Sequence, residues 1–261
     1  MPANLTLPFS TLYGFLLTLA RVSGALVFVP LPGVKETPAP ARVVLAVGFT
    51  MALASRWPAN GFEGITAWQL AGFALTEAGM GVAIGVSVAI VLEVFAFSMQ
   101  VLGLQAGYGY ASTVDPTTEA DSGILLVLAQ LGAGLMFFAT GLHREVFRLL
   151  ARSMDVAPAG HWALSAGRPL EAAEPLIRLG AGLFSLGARL ALPVVALLTM
   201  VDVALALLGR LNQQLQLLSL AFPAKMLTAL WALSWTAALL PRLLTAFAAH
   251  AFASALRALG L

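Results

Sequence analysis

The sequence predicts an all-α integral membrane protein built from about six long, kinked hydrophobic helices. Composition is the first reason: 60% of the 261 residues are hydrophobic and only 10% are charged, with a mean hydropathy of +0.91. These values lie far outside the range of soluble domains. Apolar runs long enough to cross a bilayer also recur along the chain. The net charge is only +2 and the basic residues are scattered, so no nucleic-acid-binding face is expected.

The first apolar run covers residues 5–29 and can cross a hydrocarbon core of about 30 Å at about 1.5 Å per residue. No lysine or arginine precedes Arg21, so the run lacks the positive start of a cleaved signal peptide and is expected to be retained. Prolines between residues 30 and 40 end it. The second run, residues 43–55, is shorter than the roughly 17 residues needed to span, and we expect it to lie tilted or re-entrant.

The third run, residues 68–104, is too long for one span. As a single helix its roughly 37 residues would measure about 55 Å, well beyond the hydrocarbon core. It is therefore expected to break or to leave the membrane. Gly79, Gly81 and Gly85 mark either the break or a point of close packing, because glycine lets two helix backbones approach each other.

The fourth run, residues 124–142, is uncharged and is the clearest spanning helix in the sequence. The arginines that follow it at helical spacing favour a cytoplasmic end under the positive-inside rule; they are Arg144, Arg148 and Arg152. Residues 156–175 form the most polar stretch, with prolines near each end. This pattern predicts a linker between an N-terminal half, residues 1–155, and a C-terminal half, residues 176–261.

The C-terminal half is expected to form a hairpin of two long helices, residues 176–208 and 220–252, joined by the polar residues 209–216. Prolines should kink both arms, because each proline removes a backbone hydrogen bond from the helix. These prolines are Pro193, Pro223 and Pro241.

Residues 102–123 separate the third and fourth runs and differ from both. The first part of this segment is rich in glycine and tyrosine: Gly103, Gly107, Tyr108, Gly109 and Tyr110. The sequence Val114-Asp115-Pro116 predicts a turn, because proline fixes its own φ and pushes the preceding residue out of the helical region. The segment is either a connecting loop or a mobile segment that lines or closes a passage, since irregular backbone at membrane depth survives only beside protein or water.

Six ionisable residues lie inside the apolar runs: Arg21, Glu77, Glu93, Arg189, Asp202 and Lys225. Each would cost about 2.5–3.5 kcal/mol at a lipid-exposed helix centre, so most must face protein, one another or water. Arg178 and Arg189 share a helical stripe, which suits an aqueous lumen or an acidic partner helix. Glu77 and Glu93 lie about 160° apart on a helical wheel, so some counter-charges are expected in other subunits. The alternative is that the charges form ion pairs that only fix packing.

Motifs of known enzymes are absent from the sequence. It contains no His-Glu-x-x-His zinc pattern, no Gly-x-Ser-x-Gly elbow and no phosphate-binding Gly-x-x-x-x-Gly-Lys loop. Cysteine is absent, and the three histidines, His143, His161 and His250, are isolated from one another, which is typical of interfacial or packing residues. We therefore expect no catalytic activity, no cofactor and no metal.

Several short motifs follow one another in a characteristic order. They are residues 108–116 (YGYASTVDP), Gln130, residues 141–143 (GLH), residues 158–160 (PAG), residues 191–194 (ALPV) and residues 221–225 (AFPAK), preceded by Arg21 and a proline-rich turn through Pro32 to Arg42. In this order they resemble the FliR family of the flagellar type III export apparatus, whose injectisome relatives are the SctT proteins. The chain departs from the family at Ala221, where the family has glycine in a Gly-Phe-Pro-x-Lys motif.

The resemblance implies a single-copy structural subunit of an export gate, packed as part of a helical hetero-oligomer with FliP-like and FliQ-like subunits. FlhB-like and FlhA-like export proteins are further expected partners. Such a gate passes unfolded flagellar proteins across the bacterial inner membrane at the flagellar basal body. The N-terminal half would be FliP-like, with a plug loop at residues 106–122, and the C-terminal hairpin would be FliQ-like.

The resemblance also assigns roles to residues. The plug loop and pore residues are Gly107, Tyr108, Gly109, Tyr110, Val114, Asp115 and Pro116. The hairpin tip contains Asn212, Gln214, Phe222 and Pro223. Independently of the resemblance, the cost of a charge in an apolar helix predicts a set of interface or lumen charges; they are Arg21, Glu77, Glu93, Arg178, Arg189, Asp202 and Lys225.

A secondary transporter is the alternative function. Buried charges would then form a substrate or proton path at broken helices. Two internal repeats would favour this alternative, but no repeat of convincing similarity is visible. The short second run is also inconsistent with a regular inverted repeat.

Overall fold

The computed structural model describes residues 9–29, 39–58, 64–108, 124–160, 169–211, 217–237 and 239–258. These residues contain helices and no strand, which confirms the all-α prediction. The helices are α1 (Phe9–Phe28), α2 (Ala39–Ala52), α3 (Ala67–Ala106), α4 (Ile124–Ala139), α5 (Leu142–Val156), α6 (Pro169–Leu211), α7 (Leu217–Ala237) and α8 (Leu240–Ala258), with a 3-10 turn at Ala54–Arg56.

Three helices of the described chain are long and apolar enough to cross a membrane: α1, α3 and α6. Helices α4 and α5 are joined at a sharp bend, as are α7 and α8, and each pair is long and apolar enough to cross a membrane when its two helices are counted as one span. Helix α2 has only 14 residues, in agreement with the prediction that it is too short to span upright. These features identify an integral membrane protein.

Helix α3 does not break. It runs through Gly79, Gly81 and Gly85 as one helix of 40 residues, about 60 Å long, so a break at these glycines is ruled out. The prediction of one helix over residues 124–142 is wrong at its end, because Gly141 adopts a φ of 77° and separates α4 from α5. An L-residue rarely adopts this left-handed conformation, which ends the helical hydrogen bonding.

The second arm of the predicted hairpin is also interrupted. Helix α7 ends at Ala237 and α8 begins at Leu240, so Pro241 lies in a first helical turn, where its missing N–H is not needed. Pro193 and Pro223 lie within α6 and α7 without ending them.

The chain packs as two compact units, each assembled from separate parts of the sequence. The first consists of Met1–Ile90, Gly141–Leu179 and Ala248–Leu261, and the second of Val91–Thr140 and Gly180–Phe247. In the first unit, Leu17 of α1 packs with Met154 of α5 and Ala159. On α1 as well, Val22 and Leu26 pack with Ala46 of α2.

Glycines bring α1 and α3 into backbone contact within the first unit. A Cβ atom on Gly81 would overlap the carbonyl oxygen of Arg21, and one on Gly85 would overlap that of Ala25. From the other side, a Cβ on Gly24 would overlap the carbonyl oxygen of Ala78. The close packing predicted for Gly81 and Gly85 is therefore confirmed. Gly79 takes no part in it, because nothing lies within 4 Å of its added Cβ.

Replacing Gly81 with valine should force these two backbones apart, and we expect a loss of about 1–3 kcal/mol or more from overpacking. Gly79→Ala is the matched control two residues away; it adds a methyl group in open space and should stabilise the helix by up to about 1 kcal/mol. Heating isolated membranes in steps and measuring the protease-resistant chain gives a midpoint for each variant. Equal midpoints for Gly81→Val and the parent chain would contradict the contact.

The second unit is organised around the C-terminal half of α3, which packs against α6 and α7. Its core consists of Leu102 and Ala106 of α3, Ala191, Val194 and Leu198 of α6, and Ala229 of α7. The Ser98 hydroxyl donates to the Gly187 carbonyl at 3.0 Å, earlier on both α3 and α6 than the core contacts. Because these contacts advance together along both helices, α3 and α6 run in the same direction here.

Candidate functional site

A buried ion pair lies at the centre of the first unit. The Nε and Nη2 atoms of Arg21 each lie 2.6 Å from Oε2 of Glu77, and neither side chain is exposed to solvent. The sequence marked both residues as charges needing a partner, and the structure pairs them with each other. The pair joins α1 to α3 in the same region where the glycines bring the two backbones together.

Backbone groups saturate the rest of this pair. Arg21 Nη1 donates to the carbonyl oxygen of Ser153 at 2.8 Å, and Nη2 donates to that of Ala157 at 2.9 Å. Both carbonyls lie at the C-terminal end of α5, where the helix dipole is negative, and the Ser153 carbonyl also accepts from the N–H of Ala157 at 3.0 Å. The N–H of Gly160 donates to Oε1 of Glu77 at 2.9 Å. The Arg21–Glu77 pair and these partners, which we call the buried network, therefore hold α1, α3 and α5 at one point.

The second unit contains a more open ion pair. Lys225 Nζ of α7 lies 2.9 Å from Oδ1 and 3.0 Å from Oδ2 of Asp202 on α6, and Gln105 Nε2 of α3 lies 3.4 Å from Oδ2. The Asp202 side chain is 42% exposed. Solvent weakens such a pair, so it contributes to positioning more than to stability.

The start of the predicted plug loop is anchored to α7. Helix α3 ends at Ala106 and is followed by Gly107, whose φ is 86°. The N–H of Tyr108 donates to the carbonyl of Gly103 at 2.9 Å. This is the Schellman arrangement, in which glycine supplies the left-handed residue. A Cβ on Gly107 would come within 2.8 Å of the Phe222 ring. The structure thus brings together a predicted plug residue and a predicted hairpin-tip residue.

Tyr108 adds a second contact between the same elements. Its hydroxyl lies 3.4 Å from the carbonyl oxygen of Met226 on α7, and burial raises the pKa of its phenol. The phenol therefore stays protonated at neutral pH and can donate to this carbonyl. The remaining predicted plug residues, Gly109, Tyr110, Val114, Asp115 and Pro116, and the tip residues Asn212 and Gln214, lie outside the described residues. Pro223 is exposed within α7.

The other predicted interface charges are exposed. Arg178 pairs with Glu174 one turn earlier on α6, at 2.7 Å. Glu93 on α3 and Arg189 on α6 are exposed, and neither has an ion-pair partner in the described part of the chain. The 160° separation predicted for Glu77 and Glu93 agrees with the burial of one and the exposure of the other.

Sequence analysis missed some of the residues that complete these contacts. Ala157 and Gly160 enter the buried network through backbone atoms, which no side-chain pattern indicates. Ser153 enters it through its carbonyl and also through its hydroxyl oxygen, which lies 3.3 Å from Arg21 Nη1. The position of Gly24 could have indicated a close helix contact, because this glycine lies in an apolar run three residues after Arg21. Among the described residues no group of three or more His, Asp or Glu side chains could hold a metal ion.

Comparison with known proteins gives the family. The model of "Bacterial export proteins, family 1" matches residues 12–251. The chain belongs to the bacterial export proteins, family 1. Among the relatives of this export protein, the flagellar biosynthetic protein FliR of Escherichia coli (strain K12) is 29% identical over 239 residues, which is 90% of this chain and 86% of that protein.

Two further relatives with the same name agree. The FliR of Pectobacterium carotovorum subsp. carotovorum is 28% identical over 81% of this chain and 77% of its own length. That of Caulobacter vibrioides is 27% identical over 82% and 84%. The resemblance of this export protein to the FliR family, first drawn from its motifs, is confirmed.

Proposed function

We propose that the chain is a structural subunit of the flagellar type III protein export gate. In this role it lies in the bacterial inner membrane at the flagellar basal body and helps to form the channel through which unfolded flagellar proteins leave the cytoplasm. The observation that carries the proposal is the family match over residues 12–251, together with relatives named flagellar biosynthetic protein FliR. The role is structural and needs no enzyme activity or cofactor.

The proposed partners are FliP-like and FliQ-like subunits in a hetero-oligomer, with FlhB-like and FlhA-like export proteins nearby. Exposed surface supports this part of the proposal. Large apolar side chains are solvent-exposed along α6 and α7, including Met200 at 71% and Trp235 at 78%. Exposed apolar faces of this size in a membrane protein suit packing against other helices as well as lipid.

The halves of the chain have separate proposed roles. Residues 1–155 form the FliP-like half with the plug loop at residues 106–122, and residues 176–261 form the FliQ-like hairpin. Residues 156–175 form the linker, whose last part, from Pro169 onward, is folded as the start of α6. The contacts of Gly107 and Tyr108 with α7 support a plug loop that starts from a fixed point.

A transporter has less support. The buried charges Arg21 and Glu77 are fully engaged with each other and with backbone groups of α5 and Gly160. A charge that binds a substrate or relays protons needs access to water or to a ligand, and a saturated pair without exposed atoms is better suited to holding helices together.

The chain expressed alone should be a poor monomer, because its exposed helices and unpaired charges need neighbours. In detergent we expect aggregation or degradation, measured by size-exclusion chromatography and immunoblotting. Co-expression with FliP-like and FliQ-like chains from the same source should give one peak that contains all three. A monodisperse, heat-stable monomer that binds a small solute would contradict the subunit proposal.

A further inference from the structure

One face of α6 combines an exposed apolar surface with an exposed arginine, Arg189, that has no ion-pair partner in the described part of the chain. Only 17% of the most apolar 18-residue window of this helix is buried, compared with 61% for α3. Four exposed residues lie within about 80° of one another on a helical wheel and therefore share one side of the helix; they are Leu192, Met200, Val203 and Leu207, each 58% to 71% exposed. We call these residues the α6 stripe.

Arg189 lies on the same face as the α6 stripe, three residues before Leu192, and inside the apolar stretch Ile177–Leu211. The exposed large side chains that follow it on this face are apolar, and the small Ser185 lies one turn before it. Arg189 is about 18 Å from Ile177 and about 33 Å from Leu211 along α6, too far from either end of this apolar stretch to reach past it. A lone guanidinium in such surroundings needs a carboxylate that the described part of the chain does not supply.

The stripe continues into a groove between α6 and α7. This groove has a volume of about 590 Å³ and is lined by Leu197, Met200 and Ala204 of α6 and by Leu227, Thr228 and Trp231 of α7. Its lining is almost entirely apolar, and Met200 belongs to both the stripe and the groove. Apolar side chains of a neighbouring helix fit such a groove, whereas a solvated or strongly polar segment does not.

Resting on the proposed subunit role, we propose that the α6 stripe and the adjoining groove bind a membrane helix of a different chain, and that this helix places one acidic side chain against Arg189. The rest of the helix is apolar where it faces the stripe, because no stripe residue is charged and Arg210 follows only in the last turn of α6. The single ion pair sets the register of the two helices, because sliding by one turn would separate the two charges.

Arg178 differs from Arg189 in the one respect that matters. It lies on the same helix and is also exposed, but Glu174 already neutralises it at 2.7 Å. A structural role common to all arginines of α6 would make the two positions equally sensitive to substitution. The proposal makes only Arg189 sensitive, so Arg178→Leu is the matched control.

The test is co-purification from membranes, using the full chain co-expressed with its export-gate partners. Arg189→Leu should lower the recovered complex on the order of 30-fold, because the partner carboxylate is left unpaired, while Arg189→Lys should retain much of it and Arg178→Leu nearly all. Normal recovery with Arg189→Leu would overturn the proposal and indicate an arginine that reaches lipid headgroups. The proposed function would survive that result, because the parent chain would still co-purify.

A genetic experiment can identify the helix that binds the α6 stripe, even if Arg189→Leu lowers the expression of the protein. Cells with Arg189→Glu should lose flagellar motility, and revertants should be selected. We expect compensating changes that turn an acidic residue in an apolar helix of another gate subunit into a neutral or basic one. Revertants that all map to Glu93 of this chain would overturn the proposal in favour of contact between two copies or within one.

Discussion

Replacing Arg21 with leucine is expected to prevent the chain from accumulating in folded form. The substitution leaves Glu77 buried and unpaired and removes the donors to the Ser153 and Ala157 carbonyls. Breaking one partner out of a buried pair costs about 3–5 kcal/mol, a large share of the stability of an ordinary domain. The measurement is the protease-resistant chain in membranes, compared at equal expression.

Two comparisons distinguish loss of the buried network from the general effect of removing a charged side chain. Arg56→Leu removes a pair with Asp155 in which both side chains are at least 39% exposed, and it should cost at most about 1 kcal/mol. The double variant Arg21→Met, Glu77→Leu should recover part of the loss, because no unpaired charge remains. A chain with Arg21→Leu that resists protease like the parent would show that the network does not hold the first unit together.

Deleting residues 110–119 is expected to leave the export complex assembled but make resting cells leaky to small ions. The proposed plug begins at Gly107 and Tyr108, which stay anchored to α7 by the contacts described above, so the flanking helices can still meet. The bulk of Tyr110 and the turn at Val114-Asp115-Pro116 would be lost from the passage. Conductance, or the sodium sensitivity of cells that carry the complex without secreting, measures the leak.

A replacement of the same ten residues by glycine and serine is the control for length. A connector needs only length, so cells with this replacement would stay sealed if the loop merely joins α3 to α4. A plug needs side-chain bulk, so the replacement should leak as the deletion does. Normal assembly without an ion leak in either variant would contradict the assignment of residues 106–122 as a plug.

The sequence predicted the fold where local pattern decides it. Apolar runs gave α1, α2, α3 and α6 with small errors at their ends, and glycine spacing gave the contact of Gly81 and Gly85. The break at Gly141 was missed because residues 124–142 are apolar throughout. Hydropathy carries no information about a left-handed φ. The sequence identified Arg21 and Glu77 as charges inside apolar runs. It could not pair them with each other, because 56 residues separate them and no local pattern relates them.

Arg178 shows a different kind of miss. Its partner Glu174 lies four residues earlier, a spacing that places both side chains on one face of a helix. The signal was present, but the linker was expected to extend to residue 175, and the structure instead starts α6 at Pro169. Here an error in a helix boundary hid a local contact.

The contact between α5 and α1 has a consequence for the surroundings of α1 in the first unit. Helix α1 runs from Phe9 to Phe28, so Leu17 and Arg21 lie near its midpoint, and α5 contacts that midpoint through Met154 and Ser153. Arg152, next along α5, is exposed. Acyl chains around the midpoint of α1 would have to surround this guanidinium at a large cost, so we expect this flank of α1 to meet water or a polar surface. The hydropathy of α1 therefore does not measure how much of the helix touches hydrocarbon.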